Sequence, residues 1–286
     1  MLVIIGVIGV TVCWIGGYMM AGGKPIALVQ PAEFVIICGV AGFQLIIANP
    51  FNVVKSLIPA TIKALKGSGI NKSSYLELLG LLASIFDTMR KEGVLGIEGD
   101  LSNPEESPRF KKFPRVTENH ELMETLCGAL RLFVDGVVNA FDLERLLDTE
   151  LETHHEEALI APDAVTKTAD ALPGIGIVAA VLGIIVTMQY IDGPPAYIGQ
   201  KVAAALVGTM LGVLLCYGYV GPLATKIGHG VREEGAILKT VQAGLVSFAG
   251  GAPPQVALEF ARKTIPPELR PTSEELDEIV KEAKKG

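Results

Sequence analysis

Charge is what the longest apolar stretches of this chain lack. The 286-residue sequence is 50% hydrophobic with a mean hydropathy of +0.44, high for a water-soluble domain. Only 19% of its residues are charged, and nearly all of these lie outside four apolar runs. The runs are Leu2–Met20, about Phe34–Ala48, Pro173–Tyr190 and Val202–Val220. Crossing a bilayer takes about 20 apolar residues in a helix, and the last two runs are long enough. No Asp, Glu, Lys, Arg or His lies deep in any run, and Glu33 stands at a boundary. An ionisable group inside a membrane is costly and usually functional. Alone, then, the chain is not expected to shuttle protons by carboxylate chemistry. Either it conducts no ions or a partner supplies the acid.

Other absences narrow the class further. Of the four cysteines, Cys13, Cys38 and Cys216 sit inside apolar runs, which rules out a disulfide framework. No metal-ligand spacing exists. His154 and His155 are adjacent, so on a helix they point to different faces. There is no nucleophile constellation and no phosphate loop, so the chain is read as a non-enzyme without cofactor or metal. A formal net charge of −7 argues against nucleic acid as a partner. No basic leader or convincing cleavage site surrounds the first run, which is therefore read as a retained span.

Basic residues set the expected topology. The connection 21–32 carries only Lys24 and the break near 192–201 only Lys201, so every other Lys and Arg falls in 52–170 or in the tail after Pro222. Lys and Arg near span ends mark the cytoplasmic side. The reading is an all-α polytopic membrane protein with four transmembrane helices, a large helical cytoplasmic domain and both termini in the cytoplasm. Residues 1–51 hold helices 1 and 2, 52–170 the cytoplasmic domain, 171–222 helices 3 and 4, and 223–286 a cytoplasmic tail. Within 52–170, Tyr75–Phe86 shows helical periodicity. A second stripe runs through Leu122, Leu126, Leu130, Phe133, Val137, Phe141 and Leu147, predicting one helix over about 118–157. Prolines and glycines between these predict a compact loop over 92–115. Thr272–Lys285 reads as a short charged helix that frays.

What the last two runs do contain is small residues at regular spacing. Gly176, Ala180, Gly183 and Thr187 fall on one helical face, and so do Ala204, Gly208 and Gly212, with Thr209 beside them. Small residues four apart let backbones approach where water cannot drive packing. Gly176, Gly183, Gly208 and Gly212 are the expected packing positions, and the lone hydroxyls suggest a polar path.

The segments Asp170–Gly183 and Leu206–Ala224, with Pro173 and Pro222 in place, resemble the MotA family of bacterial flagellar stator subunits. The resemblance covers essentially the whole length and includes the lead-in Leu28–Glu33 and the loop Met89–Asp100. The wider family includes transport energisers of the ExbB and TolQ kind, the alternative reading, which have three spans rather than four. The resemblance implies a multi-pass inner-membrane protein that couples proton flow to torque. It implies a homo-pentameric ring in the lipid bilayer around a one-span partner, MotB, whose membrane aspartate carries H+. It also implies cytoplasmic loops that push on the rotor protein FliG.

The same resemblance assigns roles to single residues. Thr209 would line the partner helix, and Thr187 is the other hydroxyl of the path; either could equally bond its own helix carbonyls. Ala180 stands where sodium-driven relatives carry threonine, which removes an oxygen from any hard-cation shell and favours protons. Pro173 and Pro222 match prolines that couple protonation to helix movement, although alone they would read as a helix start and a helix end. Arg90 and Glu98 match residues that meet complementary rotor charges. Without the resemblance they would be ordinary surface charge.

Overall fold

A computed structural model describes residues 2–283, so Met1 and the end of the expected tail helix at Lys285 lie outside the described residues. Among the described residues the chain is all helix, without a strand. Four of its helices are long and apolar enough to cross a membrane. The chain divides into two compact units, residues 1–68 with 157–230 and residues 69–156 with 231–286. The segment 52–170 contributes to both.

The first unit holds the apolar spans. α1 (Leu2–Met20) has no buried residue. α2 (Pro31–Ala48) starts on a proline, whose missing N–H costs nothing at a helix start, and buries only Glu33, Ile37 and Ala41. It breaks at Asn49-Pro50, and α3 (Phe51–Lys66) follows. α9 (Ala140–Met188) and α10 (Pro195–Leu214) complete the set. Ile37, Ala41, Leu172, Ile175, Ala179 and Leu211 form a small core, while Ile5, Ile8, Val35, Phe43 and Ile185 are exposed. A helix group with apolar exteriors and few large side chains inside is built for lipid rather than water. The polar exception ties α1 down. Tyr219 shares its hydroxyl with Thr11 (2.8 Å) and accepts from the Trp14 indole N–H (3.1 Å).

Neither of the two prolines singled out in the sequence bounds a helix. Pro173 does not begin a helix. It sits inside the 49-residue α9 along with Pro162. It lacks the N–H that would pair with the Ala169 carbonyl, a defect a buried, packed helix tolerates. Nor does Pro222 end one. After α10 the helix passes through a π-helical turn, Leu215–Val220, and continues as α11 (Gly221–Ala249). The Gly221 N–H reaches back five residues to the Cys216 carbonyl, and the proline follows immediately.

The second unit has a conventional core. α4 (Lys72–Glu92) opens on an Asn71 capping box with Ser74 and buries Tyr75, Leu78, Leu79, Leu81, Leu82, Ile85 and Phe86. Three short helices follow, α5 (Glu98–Ser102), α6 (Pro108–Lys111) and α7 (Pro114–Thr117). α8 (His120–Val134) adds Leu122, Leu126 and Leu130, and Phe248 stacks on Phe86 with ring centroids 4.4 Å apart. Burial pushes the Tyr75 hydroxyl up to about 12, with Glu233 and Glu268 adding to it.

The single helix expected over 118–157 is in fact two. Gly136, at φ +67°, ends the first, and α9 starts at Ala140. The apolar stripe is cut with it: Val137 is 71% and Phe141 70% exposed, while Leu147 is fully buried. The tail is also better held than a fraying helix. α12 (Pro254–Thr264) and α13 (Ser273–Ala283) both lie on α4, with Leu276 and Val280 buried and Lys72 paired to Glu275 at 2.7 Å.

Candidate functional sites in the two units

In the first unit the four glycines meet within one chain. A Cβ on Gly212 would stand 2.5 Å from the Leu172 carbonyl oxygen and 2.9 Å from the Gly176 Cα. One on Gly176 would stand 2.9 Å from the Gly208 carbonyl oxygen. At Gly183 the neighbour is Ala205, at 2.7 Å. The backbones of α9 and α10 are thus in direct contact, and any side chain there would separate them.

The face differs slightly from a strict four-residue repeat. Ala179 and Ala205 are buried, whereas Ala180 and Ala204 are half-buried beside the seam. At 3.6 residues per turn a contact stripe alternates steps of three and four. Ala180 therefore borders the seam. The two threonines also part ways. Thr187 is fully buried and donates to the Gly183 carbonyl of its own helix at 2.7 Å. Thr209 is half-buried, and among the described residues its hydroxyl makes no hydrogen bond.

Sequence reasoning placed Glu33 at a boundary, but the structure buries it. Its side chain is directed at Gly208 and Gly183. Hydropathy cannot show this, because it locates a residue along the chain and not the reach of its side chain.

In the second unit Arg90 lies in the last turn of α4 and Glu98 opens α5. Gly93 (φ +84°) and a tight turn over Val94–Ile97 separate them, so they share no continuous helix. Both are exposed, and among the described residues neither side chain has an ion-pair partner. The backbone beneath them is firmly held. Ile97 and Leu101 are buried in the core. Arg109 donates through Nε to Asp100 (2.8 Å) and through Nη1 to the Ser84 carbonyl (2.8 Å). Ser107 donates to the other Asp100 oxygen (2.6 Å), and Arg131 to the Leu101 carbonyl (2.7 Å). Asp100, Arg109 and Arg131 are positioning residues that the sequence did not single out. The only signal of Asp100 and Arg109 was charge inside a loop rich in proline, and Arg131 lies on α8.

Tight glycine-faced packing among four apolar spans, with a separate helical unit that carries exposed charge, defines an all-helical polytopic membrane protein. Comparison narrows that class. Residues 4–93 match the profile described as motility protein A N-terminal, and residues 118–239 that of the MotA/TolQ/ExbB proton channel family. The chain is 40% identical to chemotaxis protein LafT of Vibrio parahaemolyticus, over 97% of this chain and 98% of that one. It is 37% identical to motility protein A of Escherichia coli, over 99% and 96%. Its fold matches the C. jejuni MotAB structure with a TM-score of 0.80 at 20% identity, covering 95% of this chain and 98% of that one. The chain belongs to the MotA/TolQ/ExbB proton channel family, on its flagellar motility side.

Proposed function

We propose that this chain is the ring-forming stator subunit of a proton-driven flagellar motor in the inner membrane. The observation that carries the proposal is the full-length similarity to motility proteins, all four spans included. The solved relatives are MotAB complexes, one of them described as the flagellar stator of Bacillus subtilis. By that analogy several copies surround a one-span partner of MotB type, whose membrane aspartate carries the proton. Both termini lie in the cytoplasm. The half-buried, unbonded Thr209 faces the partner helix. Pro173 removes one rung of the α9 hydrogen-bond ladder and Pro222 follows directly on the π-helical turn, so helix movement costs least at these points. Arg90 and Glu98 engage opposite charges on the rotor protein FliG, giving register and fast release without tight binding. Ala180 leaves no side-chain oxygen for sodium, which needs several at about 2.3–2.6 Å by analogy with calcium. The work is ion transport coupled to motion, not covalent catalysis.

Coexpression with the native partner in a host lacking its own stators tests the reading. Swimming should return, continue without sodium and stop with a protonophore. A membrane-inserted complex that drives no swimming would refute the stator function. Swimming only in sodium would refute the ion choice.

A further inference from the structure

Glu33 is 6% exposed, at the first turn of α2. A Cβ on Gly208 would lie 2.5 Å from its Oε2, and one on Gly183 3.4 Å from its Oε1. The two carboxyl oxygens thus face glycines of two different helices. Among the described residues Oε2 is a buried polar atom with no hydrogen-bond partner. The packed stretches of α9 and α10, residues 171–188 and 202–214, offer it no Asp, Glu, Lys, Arg or His. The charges of the adjoining connections are Lys24, Asp192 and Lys201. None forms an ion pair with Glu33, and Lys201 sits over the Tyr197 ring, 5.4 Å from its centroid.

A carboxylate buried with an unpaired oxygen is strongly disfavoured. Something must neutralise it. A hard metal cation would need a shell of oxygens, whereas the side chains that line the two facing glycines beside the carboxyl are the methyls of Ala179 and Ala205. A proton needs only the oxygen itself.

We propose that Glu33 is a proton-binding site belonging to this subunit. Its carboxylate takes up a proton to form the neutral acid and gives it back to water or to the next acceptor. The chain therefore contributes an acid of its own to the ion path, beside the partner's aspartate. That place in the path rests on the proposed stator function.

The test uses the complex with its native partner. Glu33→Gln keeps the size and neutral charge of the protonated form but cannot exchange a proton. The variant complex should assemble, swim several-fold slower and respond less steeply to external pH than wild type, the remaining response being that of the partner's aspartate, while Glu33→Asp keeps part of both. Acid-minus-alkaline infrared spectra should show a carboxylic-acid band that Glu33→Gln removes, in a complex whose partner aspartate is replaced by asparagine. Wild-type swimming by Glu33→Gln across external pH, or equal impairment of the Asp and Gln variants, would overturn the proposal. Should Glu33→Gln not assemble, the Glu33→Asp spectrum decides, and a band identical to wild type overturns it. If the wild-type complex drives no proton-dependent swimming, the stator function fails instead, and the infrared result still judges Glu33.

Discussion

The two units of this chain solve the packing problem with opposite materials. The second unit is packed as proteins are in water, with Phe86, Tyr75, Phe110 and eighteen leucines and isoleucines inside and most of its charges outside. The first unit reverses the arrangement. Isoleucine, valine and phenylalanine face outward, and Gly176, Gly183, Gly208 and Gly212 line the inner seam. Large side chains stabilise a core when water must be expelled. In lipid that gain vanishes, and contact is won by removing side chains so that backbones touch. One chain shows both rules, so substitutions of the same kind should have opposite meanings in its two units.

The largest effect should come from emptying the water-type core. Phe86→Ala removes a fully buried ring stacked on Phe248 and should cost about 3–5 kcal/mol. Thermal unfolding and protease cutting within 69–156 would read the loss. Filling the lipid-type seam comes next. Gly212→Leu must push against the Leu172 carbonyl and should cost about 1–3 kcal/mol or more. Size-exclusion yield of the intact complex measures this. Gly9→Leu on α1 is the control, because nothing lies within 4 Å of a Cβ there. Equal damage from both would end the distinction between seam and surface glycines.

A smaller effect on stability, with a large effect on torque, is expected at the platform. Glu98→Lys should leave the melting temperature within the error expected for an exposed charge, about 0–1 kcal/mol, yet slow the motor. Reversal of an opposing rotor charge should restore speed, as coupling within a pair requires. A melting shift without rescue would make Glu98 a folding residue. The smallest effect concerns acid. The Arg262 hydrogen bond holds the Glu259 carboxyl below the usual carboxylate range. Its stabilisation is complete above the unfolded carboxylate value and fades as pH falls through the lower folded value. Because Glu259 is 41% exposed, solvent screening keeps the effect under about 1 kcal/mol. Glu259→Gln should flatten the acid limb of the unfolding curve in the second unit by that much and no more.

How far the sequence foretold these features depends on the kind of information each needs. Spans could be read because length and apolarity are local sums. The break between Arg90 and Glu98 could be read because Gly93 and Gly96 announce it. The stripe from Leu122 to Leu147 misled, since apolar spacing continues in phase past Gly136 while the backbone does not, leaving Val137 and Phe141 in the open. The grip of Arg109 on Asp100 and Ser84, and the reach of Glu33 between two helices, join residues distant in sequence. No one-dimensional pattern encodes such meetings.

The π-helical turn at Leu215–Val220 has one more consequence, for phase. Such a turn holds an extra residue within an otherwise α-helical ladder. Each residue of an α-helix advances the face by about 100°, so the wheel that describes residues 195–214 is out of step beyond 220. A substitution scan along residues 195–230 should therefore show helical periodicity on both sides of the turn, with the sensitive positions displaced by one residue across it. Deleting a single residue within 215–220 would restore one uninterrupted wheel and misalign every side chain after it.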